Sequence, residues 1–242
     1  MLNALSGTDR SAFLAGQPLS RGCRALLGLL AICLVLTVGR GILSRNWWSF
    51  VMLNWNLALA LFPLGVALVL RDLRNAAPAP AWFGSRRLLV GGLMVWLLFL
   101  PNAPYIITDL FHLPELQVFQ AALLWFDTLT IYVYATTGLL CGLYSSLLVH
   151  RMVKPLLGVS RSWALLLACQ FLSGFGIYLG RFGRWNSWNV LSEPAGLLRA
   201  IVRSYQDHLS LKLTLAYGFV LAAGYLAFWW YAEDSHPHEI VA

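Results

Sequence analysis

The chain has 242 residues, of which 59% are hydrophobic and only 11% are charged. Soluble domains contain about 45–50% apolar and about 25% charged residues, so this composition excludes a soluble domain, a disordered chain and a secreted disulfide scaffold, and indicates a protein solvated by lipid. The net charge of +7 would suggest a nucleic-acid partner in a soluble protein. In a membrane protein, Lys and Arg in the loops first set the topology, and we expect no nucleic-acid partner.

Six segments have the length of about 20 mostly apolar residues that a helix needs to cross the bilayer core. In chain order they are 24–43, 51–70, 88–108, 121–149, 163–182 and 211–231. Arg21 and Arg24 precede the apolar stretch of the first segment as in a signal peptide, but no small-residue cleavage pattern follows, so we predict a retained span. The sequence therefore predicts an all-α, polytopic transmembrane helix bundle over 24–231, with an N-terminal tail over 1–23 and a C-terminal tail over 232–242.

Lys and Arg are divided unevenly between the two sides of the membrane. The N-terminal tail and the second and fourth connections share one side and hold ten of these residues, against seven on the other side. Because cytoplasmic loops carry the excess of Lys and Arg, we predict that both termini are cytoplasmic. The cysteines form no C-x-x-C pair, so we expect buried thiols without a disulfide or a zinc site.

The connection between spans five and six has a pattern of its own. Within 190–210 the apolar residues recur at helical spacing, while Arg199, Arg203 and Asp207 fall on another face. We predict a helix that lies in the membrane interface, where basic side chains meet lipid phosphates.

Polar residues interrupt the apolar spans at four places, all on the outer face in the predicted topology. They are Asn54 and Asn56 in span two, 101–112 at the end of span three, Asp127 in span four, and 178–189 at the end of span five. Because these segments are far apart in the sequence, their shared face predicts one polar site.

The end of span three is predicted to be irregular. Pro101 and Pro104 remove two backbone donors and disfavour helix at the residues before them. An irregular turn at membrane depth is tolerated only against protein or water, so we expect Asn102 and Tyr105 to face a cavity. The alternative is a purely structural turn.

Other polar and small residues have a packing interpretation. Asn54 and Asn56 could simply hydrogen-bond neighbouring helices, as polar residues in lipid commonly do. The patterns Gly138-x-x-x-Gly142 and Gly176-x-x-x-Gly180 predict places where helices approach closely.

The ionisable residues are candidates for chemistry. An intramembrane charge such as Asp127 indicates function by default, with an interfacial salt bridge as the alternative. Asp109 and His112 are three residues apart, a spacing that can orient a general base or hold a metal, although Asp109 could instead cap a short helix. Since no second pair of an acidic residue and His lies nearby, we assign no metal site. We expect His150 in a loop.

Tyr178, Arg181 and Arg184 are also spaced by three, which would place them on one helical face. Two guanidinium groups on one face can bind phosphate or carboxylate, whereas the alternative is that both extend to the lipid headgroups. We expect Arg181 to pair with Asp127 or Asp109.

Two long strings of this sequence resemble a bacterial inner-membrane family, domain of unknown function 1361. They are Phe99 to Leu113 (FLPNAPYIITDLFHL) and Gly174 to Asn189 (GFGIYLGRFGRWNSWN), together with Trp125 to Asp127. The resemblance covers about residues 45–230. It implies a multi-pass protein of the bacterial inner membrane and adds no reaction or cofactor.

Three functions fit these residues: an enzyme or binding protein for an anionic lipid, lipid-linked sugar or phosphate-bearing ligand, a small transporter or channel, and a structural or assembly partner. In the first case, the expected partners are the bilayer and this ligand, and protons would be handled by Asp109, His112 and Asp127. The predicted ligand-binding residues are Asn54, Asn56, Asn102, Tyr105, Tyr178, Arg181, Arg184, Asn186 and Asn189. Transport ranks second because the polar groups gather at one face and no internal repeat is visible.

Overall fold

The structure is a computed structural model that describes residues 21–44, 48–76, 82–112 and 123–234. The regular structure in these residues is entirely helical. The long helices are α1 (Arg21–Ser44), α2 (Trp48–Ala76), α3 (Trp82–Phe99), α5 (Leu124–Leu157), α6 (Val159–Arg181) and α9 (His208–Asp234). The short ones are α4 (Asn102–Tyr105), a 3₁₀ helix (Ile106–His112), α7 (Asn189–Ser192) and α8 (Pro194–Ser204). Most of the predicted N-terminal tail and of the C-terminal tail lies outside the described residues.

Within the described residues, six helical segments are long and apolar enough to cross a membrane. They are Gly22–Leu43, Val51–Asn75, Arg87–Leu110, Leu124–Leu157, Val159–Arg181 and His208–Glu233. The predicted all-α, six-span architecture is therefore confirmed, and the chain is a multi-pass integral membrane protein.

Helix α5 lies at the centre of the bundle. It contacts α1, α2, α4, the 3₁₀ helix, α6 and α9. Of the apolar 18-residue stretch of each span, 67% is buried in α5, against 22–39% in the other five spans. Its sequence fits this position because small and hydroxyl residues such as Gly138, Gly142 and Ser145 allow several neighbours to approach at once.

The prediction that His150 lies in a loop is wrong. Helix α5 continues to Leu157 and meets α6 after Gly158 alone, a glycine with φ of 79°, so the predicted connection is almost entirely helical. His150 is buried between Tyr225, 2.7 Å from its Nδ1, and Ser162, 3.2 Å from its Nε2. These contacts join α5 to α6 and α9.

The predicted break at the end of span three is confirmed. Helix α3 ends at Phe99, and a turn at Leu100 and Pro101 leads into α4 and the 3₁₀ helix. We call residues 101–105 the broken segment. Its backbone is packed between α5 and α6, which satisfies the requirement that irregular backbone at membrane depth is covered by protein.

The two glycine patterns form the walls around the broken segment. A Cβ atom on Gly138 would lie 2.6 Å from the carbonyl oxygen of Ala103, and one on Gly142 would lie 2.9 Å from the Ala103 Cβ. On the other side, Gly176 faces Pro101, and a Cβ atom on Gly180 would lie 3.1 Å from the Tyr105 ring. Both predicted packing sites are thus confirmed, and both receive the same segment.

Candidate functional site

Asp127 lies in the first turn of α5 and is 2% exposed, so it needs a partner. Its carboxylate receives two hydrogen bonds from Arg40 of α1, from Nε to Oδ1 and from Nη2 to Oδ2, the latter at 2.8 Å. The predicted pairing of Arg181 with Asp127 is therefore wrong, while the alternative pairing of Arg181 with Asp109 stays a prediction. Arg40, which is one of the seven Lys and Arg residues counted on the outer side of the predicted topology, is 4% exposed and belongs to the bundle interior.

Hydroxyl and amide groups continue this polar contact along α1, α2 and α5. The Tyr134 hydroxyl lies 2.9 Å from Asn54 Oδ1 and 3.1 Å from the Cys33 carbonyl oxygen, and it also contacts Thr37. Asn54 Nδ2 lies 3.4 Å from the Thr37 hydroxyl. These contacts of Asn54 are to the neighbouring helices α1 and α5, as the packing interpretation expects.

Asn56 and Asp109 are brought together at the same end of the bundle. Asn56 Nδ2 donates to Asp109 Oδ2 at 2.9 Å, and both residues are partly buried. Asp109 and His112 both lie in the 3₁₀ helix, whose three-residue turn places positions i and i+3 on one face. The His112 side chain, and with it the predicted contact between carboxylate and imidazole, lies outside the described side chains.

The loop after α6 contacts the broken segment and α2. Asn102 Nδ2 donates to the Ser187 hydroxyl at 2.9 Å and to the Phe99 carbonyl at 3.0 Å. Trp55 and Trp188 meet edge to face at 6.3 Å between ring centroids. These contacts bring three of the predicted polar segments together, while Asn102 and Tyr105 serve to pack the segment. Neither residue lines the cleft between α6 and α8 that is described below, so the predicted cavity at Asn102 and Tyr105 stays a prediction.

The predicted common face of Tyr178, Arg181 and Arg184 is wrong. Helix α6 ends at Arg181, and Arg184 has a left-handed φ of 55° in the loop that follows. The Trp185 amide bonds back to the Leu179 carbonyl, six residues earlier, at 3.1 Å, so the chain reverses direction after the end of α6. This reversal carries the exposed Arg184 side chain away from the helical face on which Tyr178 and Arg181 lie.

The same reversal creates a cleft of about 600 Å³ between the end of α6 and the face of α8. It is lined by Tyr178, Leu179, Phe182, Gly183, Trp185, Glu193, Gly196, Arg199, Ala200, Arg203, Ser204 and Asp207. Of the predicted site residues, only Tyr178 lines it. We call this space the α6–α8 cleft.

Arginines of α8 form the basic side of the α6–α8 cleft. Arg199 and Arg203 are one helical turn apart and exposed. Arg199 donates to its own helix through the Ala195 carbonyl at 3.2 Å, and Arg203 makes no ion pair with another residue that the structure describes. The helical spacing in the sequence already predicts that Arg199 and Arg203 share a face. The sequence nevertheless predicts the anion site at Arg181 and Arg184.

Asp207 closes the cleft at the end of α8. The Tyr178 hydroxyl donates to its Oδ2 at 2.5 Å, and the Leu209 amide donates to its Oδ1 at 2.9 Å. The Tyr178 hydrogen bond is the main reason that the pKa of Asp207 lies below its usual value. Asp207 therefore remains ionised and holds the loop before α9 against α6.

The remaining predicted residues stabilise a turn. Asn189 Oδ1 accepts the Asn186 amide at 2.7 Å, and its Nδ2 lies 3.2 Å from the Ser192 hydroxyl. In the described residues, the Arg40 to Asp127 pair belongs to a buried polar contact region, and the α6–α8 cleft is separate from it. Among the described residues, no group of three or more His, Cys, Asp and Glu is placed to hold a metal ion.

The chain is similar to one family of proteins over most of its membrane-spanning part. A family model described as "Protein of unknown function (DUF1361)" matches residues 55–223, a stretch that includes the broken segment, Asp127 and α8. Neither the curated protein sequences nor the solved structures contain a match to the chain. Because the family model covers more than half of the chain, the protein belongs to the family of proteins of unknown function DUF1361.

Proposed function

We propose that this membrane protein binds a phosphate-bearing lipid headgroup in the α6–α8 cleft. The observation that carries the proposal is the pair of exposed guanidinium groups, Arg199 and Arg203, on one wall of a cleft whose opposite wall is aromatic. Guanidinium groups suit phosphate because their planar donors bind two oxygens at once. Phe182 and Trp185 supply the apolar surface that the first carbons of a lipid would contact.

Helix α8 supports a position of the cleft in the headgroup layer. Its other side exposes Leu198, Val202 and the adjoining Tyr205, at 62%, 62% and 94%. Apolar side chains exposed at helical spacing beside basic ones are typical of helices that lie in the membrane interface. Such a helix would let a lipid enter the cleft sideways, with its acyl chains still in the bilayer.

We further propose that the cleft faces outward from a bacterial inner membrane, with both termini cytoplasmic. The support is the excess of Lys and Arg on the side of the N-terminal tail and the second and fourth connections. The burial of Arg40 strengthens that argument, since this residue of the opposite side pairs inside the bundle and is no longer a loop charge.

The test compares two lipids that differ only in the phosphate. Dioctanoyl phosphatidic acid should raise the unfolding temperature of the detergent-purified protein, and dioctanoylglycerol should not. A ligand at a hundredfold excess over Kd stabilises the folded state by about 2.7 kcal/mol. Arg199→Gln and Arg203→Gln should each remove most of this shift.

Arg184→Gln is the matched control, because it removes the same charge from an exposed position at the same end of the bundle but outside the cleft. It should keep the wild-type response. Equal shifts with both lipids, or a phosphate response lost only in Arg184→Gln, would contradict the proposal and leave the transporter and assembly-partner functions ahead.

A further inference from the structure

The α6–α8 cleft carries negative as well as positive groups. Glu193 and Asp207 line it together with the two arginines, so the four formal charges cancel. A site for a simple anion would not need carboxylates, because they repel a phosphate. The question is therefore which of the two carboxylates has acceptor capacity left for a ligand.

The carboxylate oxygens of Asp207 already accept hydrogen bonds from the protein. Each of its oxygens accepts a hydrogen bond from the protein, one from Tyr178 and one from Leu209. Glu193 differs, because it makes no side-chain hydrogen bond at the start of α8, where it is the N-cap residue, and no ion pair with another residue in the described part of the chain. Glu193 is thus the carboxylate with free acceptors.

The position of Glu193 gives this carboxylate a specific neighbour. Gly196 is the point where both meet: a Cβ atom there would lie 2.5 Å from Glu193 Oε1 and 2.9 Å from Trp185 Cη2. The carboxylate oxygen and the indole ring therefore border the same spot on the cleft wall. A carboxylate beside an aromatic ring attracts an ammonium group through both the ion pair and the π-face.

The acid and the guanidinium groups are spaced along one helix. At a rise of about 1.5 Å per residue, α8 separates Glu193 from Arg199 by about 9 Å and from Arg203 by about 15 Å. Because arginine side chains are long, the Arg199 guanidinium can lie closer to the Glu193 carboxylate than the two backbones do. The cleft thus presents an acceptor for an ammonium at one end and donors for a phosphate further along.

We propose that the cleft recognises a headgroup of the phosphoethanolamine class, with its phosphate on Arg199 and Arg203 and its primary ammonium on Glu193 beside Trp185. This inference rests on the proposed function, since it names the headgroup for the same cleft. A primary ammonium fits Glu193 because its N–H groups can donate to the carboxylate oxygens.

The test uses dioctanoyl phosphatidylethanolamine and dioctanoyl phosphatidylethanol, which share the phosphate and the two-carbon group and differ in the amine. The purified full chain should bind the first about fivefold more tightly, the effect of one partly exposed ion pair. Glu193→Gln should weaken only the amine-bearing lipid and make the two affinities equal. Arg203→Gln should weaken both lipids.

Asp72→Asn is the matched control for Glu193→Gln, because it removes an exposed carboxylate outside the cleft, and it should keep the preference. Equal wild-type affinities, equal weakening of both lipids by Glu193→Gln, or equal binding of dioctanoyl phosphatidylcholine would overturn the phosphoethanolamine assignment while the phosphate site stands. Failure of both phospholipids to bind better than dioctanoylglycerol would instead remove the proposed function.

The same measurement with free phosphoethanolamine distinguishes a lipid from a soluble ligand. Weak binding compared with the lipid would support a membrane-borne ligand. Binding as tight as that of the lipid, with the same loss in Glu193→Gln, would support the headgroup chemistry and identify a soluble source.

Discussion

At the scale of single residues, the pair of Arg40 and Asp127 has the largest expected effect on stability. Both side chains are almost fully buried, and the guanidinium satisfies both carboxylate oxygens. Burying two charges in lipid is costly, so such a pair adds little net stability, but removal of one partner leaves an uncompensated charge. Asp127 therefore has a structural task, which argues against its predicted role in proton transfer to a ligand.

We expect Asp127→Asn to lower the free energy of unfolding by about 3–5 kcal/mol, measured by reversible unfolding in mixed micelles. Arg40→Gln should cost less, because a lone carboxylate can neutralise itself by binding a proton and a guanidinium cannot lose one. The double variant should be more stable than Asp127→Asn alone. Additive losses in the double variant would show that the two residues act independently.

The hydrogen bond from Tyr178 to Asp207 makes stability depend on pH. The folded-state pKa of Asp207 lies below its usual value of about 3.9. The ionised carboxylate therefore adds to the free energy of unfolding fully above that usual value, and this addition is lost as the pH falls through the folded-state pKa. Tyr178→Phe should lower the unfolding temperature at pH 7, and its difference from wild type should shrink below about pH 4. An undiminished difference at pH 3 would contradict this account, and Asp207→Asn should lack the pH-dependent part.

At the scale of elements, the broken segment depends on glycines that are far away in the sequence. Gly138 on α5 faces the backbone carbonyl of Ala103, which cannot move without disturbing α4. Gly65 on α2 has no heavy atom within 4 Å of the position of an added Cβ. The two glycines therefore have opposite expected responses to the same substitution.

Gly138→Ala should destabilise the protein by about 1–3 kcal/mol, because the new methyl group overpacks the contact with the broken segment. Gly65→Ala should leave stability unchanged or raise it by up to about 1 kcal/mol, since alanine has the higher helix propensity. Unfolding in mixed micelles tests both. Equal effects of the two substitutions would show that the close approach of α5 to Ala103 does not matter for stability.

The sequence predicted those elements that depend on local chemistry. Apolar length located the six spans, and Pro101 and Pro104 located the break, because both signals act within a few residues. The end of span five was predicted to within one residue, but the departure of Arg184 from the helical face was missed because a left-handed residue at such a place is usually glycine. The partner of Asp127 was missed because pairing across 87 residues leaves no local signal.

At the scale of the whole molecule, α5 organises the bundle and many of the polar groups lie at one end of it. Helix α1 contacts mainly α5, and besides apolar packing it is held there by the Arg40 pair and by Thr37 and Cys33. This explains how a first span with the appearance of a signal peptide is integrated into the bundle. At one end of the bundle, the C-terminal end of α6, the loop after it, α8 and the loop before α9 form the α6–α8 cleft.

A cleft for outer-leaflet lipid must face outward, so we expect the cleft end of the bundle to lie on the outer side of the membrane. Cysteine introduced by Arg184→Cys, next to the cleft, should react with a membrane-impermeant maleimide in intact cells. Lys154→Cys, near the cytoplasmic end of α5 in the proposed topology, should react only after the membrane is permeabilised. The native chain is the background control, since three of its four cysteines are buried and Cys23 is partly buried. Labelling of the Lys154→Cys protein in intact cells, with protection of the Arg184→Cys protein, would invert the topology and require that the lipid come from the cytoplasmic leaflet.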